Sequence, residues 1–445
     1  MTALRRSWMV LGLWLTSSLL AILFPTEIVN GHDLFLNLSY LFGSLLMISY
    51  LWARFSLLGL RVTRRVHTLR TYVGHYAEEI ITVENYSVLP KLYVEVRDYS
   101  DLPFHRASRV LSGLAGRSQR SWMVRTPCYQ RGRFRIGPLV LCAGDPFGLF
   151  LFQREIGLTS VLTVYPFTAE LPGFSPPTAE REGNVWQRRH TYDVTINAAS
   201  VREYVPGDSF NRIHWPSSAR LGRLIVKEFE RDALAEVWLV LDMEQRAHIA
   251  RQTDEGDRVD LSPPSHVPPE NPGITLLMPA TQEYAVASAA SLARHFLLER
   301  NWPLGLVTYA YGQRRTFVPP DYGARQLDRV LSLLAVLQPM GGVSLAQVLE
   351  MENAYLTRNA LLLIITSSVY DPQWVAAVQH PVWRGGRAMV VLIDPVSFLS
   401  ESAAIGATEA VSLALQERGV PCSIVRRGDH LSDALRFSRV DILFR

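Results

Sequence analysis

The stretch Glu236-Val-Trp-Leu-Val-Leu-Asp242 decides the fold of the C-terminal half of this chain. Its five central residues form an uninterrupted apolar run, which is typical of a strand buried on both faces of a parallel sheet. Similar runs recur downstream and alternate with segments whose apolar residues are spaced three and four apart. This alternation predicts a doubly wound α/β domain with a parallel sheet and crossover helices on both faces.

The apolar runs define the predicted strands, which are Val237–Leu241, Leu304–Tyr309, Ala360–Ile365, Met389–Ile393 and Cys422–Val425. The predicted helices are Tyr284–Glu299, Ala324–Leu337, Ser344–Tyr355, Asp371–Gln379 and Glu401–Arg418. Thr316–Val318 is predicted to add an antiparallel edge strand. Residues 246–272 interrupt the pattern after the first strand, and their Asp, Glu, Gln, Ser and Pro content predicts a mobile loop.

A period of two governs residues 66–170, as in Lys91–Tyr99, where apolar and polar residues alternate. Several such strands, separated by turns and without a long helix, predict a small antiparallel β domain of the sandwich or barrel-like type. One strand face is predicted to carry a row of guanidinium groups from Arg131, Arg133 and Arg135. This arginine row either contacts an anionic lipid or acidic partner, or keeps the strand soluble and protects its edge.

Two apolar stretches near the N-terminus, Trp8–Phe24 and Leu34–Ala53, predict a hairpin of two transmembrane helices. The short connection between them is acidic, whereas arginines precede the first stretch and follow the second. The positive-inside rule therefore predicts a multi-pass protein of the inner membrane with its soluble domains in the cytoplasm. A cleaved signal peptide is the alternative for the first stretch, although no small-x-small cleavage site follows it.

These patterns divide the chain into four predicted parts. Residues 1–65 form the transmembrane hairpin, residues 66–170 the β domain, residues 171–235 a connecting segment and residues 236–445 the α/β domain.

Composition argues against several classes of function. The 445 residues carry 45 Lys and Arg against 41 Asp and Glu, without a long block of like charge, so no nucleic-acid-binding arm is indicated. The 3 cysteines are widely separated, which excludes a disulfide framework and a CxxC metal site. The sequence contains no GxSxG, GxxxxGK[ST] or HExxH motif, and we therefore expect a protein that is not an enzyme.

The connecting segment has the most distinctive sequence, Val201-Arg-Glu-Tyr-Val-Pro-Gly-Asp-Ser-Phe-Asn-Arg-Ile-His-Trp-Pro-Ser-Ser-Ala-Arg220. It resembles the pattern of the domain of unknown function 58 family, which reads roughly Arg-Glu-Tyr, Pro-Gly-Asp, Arg-Ile-x-Trp and Ser-Ala-Arg, followed by a strand with Lys-Glu. Pro216 departs from that pattern, since the family more often has Lys after the Trp. The upstream elements Arg131-Gly-Arg-Phe134 and Asp145-Pro-Phe-Gly-Leu149 resemble the family as well.

The resemblance marks a set of signature residues: Arg202, Glu203, Tyr204, Pro206, Gly207, Asp208, Arg212, Ile213, Trp215, Ser218, Ala219, Arg220 and Glu228. The Pro-Gly pair among them is a turn signal, since Pro fixes φ at one central position and Gly supplies a positive φ at the next. Two interpretations of the charged side chains stay open. In the first, they pair with one another and hold the segment between the two domains. In the second, they form a groove that binds an acidic group, with Trp215 as an apolar anchor.

The resemblance also implies that the C-terminal domain is von Willebrand factor A-like. Such domains often bind a divalent cation where the carboxyl ends of the strands meet their loops. The oxygen ligands expected there are degenerate in this chain, and the remaining donors are Asp242, Glu244, Ser344 and Ser367. We therefore expect no metal and no cofactor, with Mg²⁺ at Asp242 as the alternative.

Proteins of the family that this chain resembles are commonly associated with MoxR-type AAA+ ATPases. Together with the membrane hairpin, the resemblance predicts a membrane-anchored cytoplasmic adaptor or scaffold whose α/β domain binds such an ATPase. Two alternatives stay open. One is a small-ligand sensor or enzyme that uses the charged groove between Arg202 and Arg220, and the other is a structural protein of the cell envelope.

Overall fold

The computed structural model describes residues 2–23, 31–174, 198–204, 213–229, 236–249, 279–353, 360–379, 387–399 and 406–435. The helices in these ranges are α1 (Thr2–Leu23), α2 (Gly31–Ser56), α3 (Trp215–Leu221), α4 (Thr281–Arg294), α5 (Gly323–Val336), α6 (Leu345–Glu352), α7 (Gln373–Ala377), α8 (Ala407–Gln416) and α9 (Leu431–Ala434). A π-helical turn, His295–Glu299, extends α4, and short 3₁₀ turns cover Gln245–Ala247 and Pro395–Phe398.

The strands of the first half are β1 (Leu60–Val66), β2 (Arg70–Tyr72), β3 (Tyr76–Asn85), β4 (Lys91–Asp98), β5 (Arg109–Leu114), β6 (Ser118–Pro127), β7 (Gly132–Ile136), β8 (Leu139–Gly144), β9 (Leu151–Ile156) and β10 (Ser160–Tyr165). Those of the second half are β11 (Ala198–Glu203), β12 (Ile225–Phe229), β13 (Val237–Leu241), β14 (Leu304–Gly312), β15 (Arg314–Asp321), β16 (Met340–Gly341), β17 (Leu361–Thr366), β18 (Arg387–Ile393) and β19 (Cys422–Val425).

Helices α1 and α2 pack side by side as a hairpin, with Ser18 Oγ and Ser39 Oγ 2.7 Å apart. Within α2, the 24 residues Asp33–Ser56 are long and apolar enough to cross a membrane. The apolar part of α1, Ser7–Leu23, is shorter. The second predicted span is therefore present as a helix of sufficient length, and several of its large side chains, such as Tyr40 at 70%, are exposed.

The β domain begins at Leu60, immediately after α2, and not at residue 66 as the sequence suggested. Sheets β1-β3-β6 and β5-β4-β8-β9 enclose its main apolar core, which includes Ile81, Val94 and Leu141. The third sheet, β2-β10-β7, has a smaller core of its own. Pairing is antiparallel as predicted, except between β2 and β10, which run parallel.

The C-terminal domain contains every strand predicted for it. The sheet order is β15-β14-β13-β17-β18-β19, with all pairs parallel except the predicted antiparallel edge strand β15. Helices α4, α5 and α9 contribute to the apolar core on one face, and α6, α7 and α8 to that on the other. All carboxyl ends of the parallel strands lie at one edge, called the carboxyl edge below, and β13 and β17 are neighbours there at the point where the strand order reverses.

Candidate functional site

The signature segment folds as a strand, a short helix and a returning strand. Strand β11 pairs antiparallel with β12, so that Glu203 lies opposite Ile225. Helix α3 lies between them, with Pro216 in its first turn, where a missing N–H costs nothing, and Gly222 at φ 65° ends it. Ser218 Oγ accepts the N–H of Ile225 at 2.9 Å, which ties the helix to β12.

The described signature side chains do not form a buried clamp. Ile213 and Ser218 are buried, whereas Trp215 is 63% exposed. Glu203 pairs with Arg223, just beyond the signature, and both side chains are about 60% exposed, so the pair adds little stability. Tyr204 continues the pairing with β12 through its N–H, which donates to the carbonyl oxygen of Leu224 at 2.9 Å.

Several predicted residues of the segment are not tested by this geometry. Pro206, Gly207, Asp208 and Arg212 lie outside the described residues, and so do the side chains of Arg202 and Glu228. Ala219 and Arg220 lie on the exposed side of α3.

The carboxyl edge of the sheet brings together three of the four predicted oxygen donors. Asp242 follows β13 and is 4% exposed. Its Oδ2 accepts the hydroxyl of Thr366, at the end of β17, at 2.6 Å, and its Oδ1 accepts the N–H of Glu244 at 3.0 Å. Ser367 Oγ donates to the carbonyl oxygen of Ala247 at 2.5 Å. Protein donors therefore already bind both oxygens of the Asp242 carboxylate.

Ser344 has a separate role at this edge, since it caps the N-terminus of α6 in a capping box with Gln347. Glu244 lies beside the same loop through a β-bridge to Gly341. Burial, and then the nearby Asp242 charge, raise the pKa of Glu244. Among the residues that the structure describes, no three His, Cys, Asp or Glu side chains are grouped so that they could hold a metal ion.

His248 lies at the centre of this edge, although the sequence placed it in a mobile loop. Its Nε2 lies 2.9 Å from the carbonyl oxygen of Asp242, while Nδ1 lies 3.2 Å from the hydroxyls of both Thr281 and Ser367. Burial lowers the pKa of His248, which fits a neutral ring with its proton on Nε2. Residues 246–249 are thus ordered against the sheet, and the rest of the predicted loop, 250–272, lies outside the described residues.

A fringe of exposed apolar side chains surrounds this polar centre. Tyr311 and Met340 are register partners at the end of β14, with exposed fractions of 40% and 51%. Tyr370 follows β17 and is 57% exposed, and Leu399 follows β18 and is 40% exposed. We call these four residues the rim. Exposed Tyr and Met side chains around a polar centre are typical of a surface that binds another protein.

Arg131, predicted as part of an exposed arginine row, is buried between the two domains. Arg133 and Arg135 are exposed as predicted, but the Arg131 side chain retains only 3% exposure. Its Nε and one terminal nitrogen donate to the carbonyl oxygens of Leu334 and Leu337 at 3.1 and 2.7 Å, and it pairs with Glu283 in the first turn of α4. The guanidinium therefore caps the C-terminus of α5 and fixes the β domain to the α/β domain.

A second contact between the domains involves Asp328 of α5. Its carboxylate accepts the hydroxyl of Tyr165 at 2.6 Å and pairs with Arg70 at 2.5 Å. Together with Arg131, these residues hold the carboxyl edge in a fixed position relative to the β domain.

Comparison with known proteins finds a matching family model and a bacterial relative. Residues 200–259 match the family model described as "Protein of unknown function DUF58". An uncharacterized protein, YeaD of Bacillus subtilis, is 28% identical over 251 residues, which cover 53% of this chain. The match spans 61% of that protein, less than two thirds of its length.

Solved structures show only distant similarity. The CARDB domain of the PF1109 protein from Pyrococcus furiosus, in complex with di-metal ions, is 16% identical with a TM-score of 0.18, and the match covers 24% of this chain and 91% of that one. The β-glucosidase from Listeria innocua, in complex with glucose, is 12% identical with a TM-score of 0.15, and the match covers 22% and 16%. Similarity at this level does not establish a shared fold. The match over residues 200–259 and the bacterial relative confirm the resemblance to the family of proteins of unknown function DUF58 that the sequence showed.

Proposed function

We propose that this protein is a membrane-anchored cytoplasmic adaptor whose α/β domain binds a partner protein through the rim. The exposed apolar side chains of Tyr311, Met340, Tyr370 and Leu399 are the observation that carries the proposal. They surround a polar centre in which both oxygens of the Asp242 carboxylate already accept hydrogen bonds from the protein. A partner can therefore contact the apolar side chains without leaving this carboxylate unpaired.

The partner that we propose is a MoxR-type AAA+ ATPase, as the family resemblance implies. This chain contains no phosphate-binding loop, so the ATPase supplies any nucleotide chemistry. Glu244 and Asp371 add acidic groups next to the rim, and Arg246 adds a basic one. A partner surface with apolar pockets and a basic centre complements this arrangement.

The proposal includes a von Willebrand factor A-like fold and a two-helix anchor. Support for the fold comes from the strand order and the single antiparallel edge strand β15. Support for the anchor comes from the exposed apolar surface of α1 and α2, which is too large and too continuous for contact with water. The arginines around the hairpin favour the cytoplasmic orientation.

Photocrosslinking in native membranes tests this proposal. A photoreactive amino acid at Tyr370 is expected to capture a MoxR-type ATPase, identified by mass spectrometry. Leu298 is a matched control, because it is 49% exposed but lies at the opposite end of α4, towards the amino ends of the strands. Absence of the ATPase at Tyr370, or equal capture at both positions, would refute docking at the rim.

A further inference from the structure

We infer that the β domain has a membrane-binding surface of its own, which inserts into the interfacial layer of an anionic bilayer. The inference rests on the membrane anchoring proposed above. The surface consists of the turn after α2, the loop between β3 and β4, and the tip of the β8–β9 hairpin, and we call it the membrane tips. Its residues are exposed by 48 to 72% and are Leu58, Tyr86, Val88, Leu89 and Phe147.

The first tip is the loop that connects β3 to β4, and it lies against the end of α2. The N–H of Tyr86 donates to the carbonyl oxygen of Gly59 at 2.8 Å. Lys91, on the other side of the tip, is 3% exposed and donates from Nζ to the carbonyl oxygen of Phe55 at 3.0 Å. A cation at the last carbonyls of a helix is a favourable cap. Val88 and Leu89 therefore project at the level where α2 leaves the bilayer.

The second tip belongs to the β8–β9 hairpin, which runs alongside the last turns of α2. At its base, Arg154 donates to the carbonyl oxygen of Leu60 at 2.7 Å. Nearer its tip, the rings of Phe152 and Phe150 contact Tyr50, with centroids 5.8 and 5.6 Å apart. Tyr50 lies about 9 Å further into the helix than Ser56, at 1.5 Å per residue. This hairpin thus extends along α2 towards the bilayer.

Phe147 lies at the tip of the β8–β9 hairpin, and backbone hydrogen bonds hold it there. The buried carboxylate of Asp145 accepts the N–H of Phe147 at 2.9 Å and that of Phe150 at 2.7 Å. This fixed turn keeps a large apolar ring 55% exposed, which is costly in water and favourable at the headgroup level of a membrane.

Basic side chains beside the membrane tips determine the kind of lipid. Arg117 is exposed, and its backbone N–H donates to the carbonyl oxygen of Ser87 at 2.9 Å, so it lies next to Val88. Arg54 is exposed on the last turns of α2. Apolar tips flanked by arginines fit a bilayer that contains anionic phospholipid, in which the side chains enter the interface and the guanidinium groups meet phosphates.

Depth measurement by spin labelling tests this inference on the full chain in vesicles of phosphatidylcholine and phosphatidylglycerol. Labels are placed at Val88→Cys and Phe147→Cys in a Cys422→Ala background, since the other two cysteines are buried. Power saturation compares accessibility to oxygen, which concentrates in lipid, with accessibility to a water-soluble nickel chelate. Val161→Cys is the matched control, because Val161 is 57% exposed on β10, in the sheet that packs towards α5.

The oxygen-to-nickel ratio at positions 88 and 147 is expected to be several-fold higher than at 161, and to fall when phosphatidylglycerol is omitted. A label at Tyr40→Cys, on the exposed face of α2, separates the two levels of the proposal. Lipid contact at 40 with water contact at 88 and 147 would overturn the membrane tips alone. Water contact at 40 would overturn the anchor and the tips together, and equal depth in both lipid mixtures would overturn the role of anionic headgroups.

Discussion

Replacing Arg131 with methionine removes the charged contact that joins the two soluble domains while keeping most of the side-chain volume. The substitution leaves the carbonyl oxygens of Leu334 and Leu337 without their donor and the Glu283 carboxylate without its partner. Removing one member of a buried ion pair costs about 3–5 kcal/mol. We expect the lower end, about 3 kcal/mol, because the Glu283 side chain is 18% exposed and regains some hydration.

Urea unfolding of the full chain in detergent micelles measures this loss, and limited proteolysis reports separation of the domains. Arg133→Met is the matched control, since Arg133 is exposed on the adjacent strand and its replacement should change stability by less than about 0.5 kcal/mol. The double variant Arg131→Met with Glu283→Gln should recover part of the loss, because no uncompensated charge remains. An Arg131→Met variant as stable as Arg133→Met would refute the proposed role of the contact.

Three further predictions concern stability and ligand binding. Burial favours the neutral form of His105, but the carboxylates of Asp98 and Glu79 outweigh this effect and raise the pKa of His105 to about 9. Protonated His105 therefore stabilises the folded state, and its contribution to the free energy of unfolding is complete below the unfolded pKa of 6.5. That contribution is lost as pH rises to about 9. Urea unfolding at a series of pH values should show this loss of stability in the wild type but not in His105→Gln. Gly59→Ala should lower the free energy of unfolding by about 1–3 kcal/mol, because φ is +74° at this position. Gly157→Ala is the control and should leave the stability unchanged, since a Cβ there meets nothing within 4 Å. Equal urea midpoints for the two variants would contradict this prediction. Calorimetric titration with Mg²⁺ should give no micromolar binding, and binding abolished by Asp242→Ala would refute our interpretation of the carboxyl edge.

Much of the fold could be predicted from the sequence because strong local patterns specify it. The strands β13 and β19 have the predicted bounds, because a charged residue or Pro flanks each short run on both sides. The start of the β domain was placed too late because Arg61, Arg64 and Arg65 resembled residues flanking a membrane span. Arg64 is instead buried with Glu79 and Asp98, a pairing that involves residues 15 and 34 positions away.

The site was less predictable because its contacts connect distant parts of the chain. Asp242 was identified from its position after a strand, but its partner Thr366 lies 124 residues away. Arg131 carries no local signal for burial, since the alternating pattern around it fits a solvent-facing row and its acceptors come from α5. His248 was missed because the composition of the following residues is that of a loop. The sequence did contain one signal for this position, namely a histidine that follows shortly after Asp242 at the end of a strand.

The most direct test of the adaptor proposal is a binding measurement between the full chain in lipid nanodiscs and a purified MoxR-type ATPase, with and without nucleotide. We predict saturable binding that Tyr370→Ala combined with Met340→Ala weakens at least tenfold, about 1.4 kcal/mol, while Leu298→Ala leaves it unchanged. Failure to bind in any nucleotide state, or binding that survives loss of both rim side chains, would contradict the account.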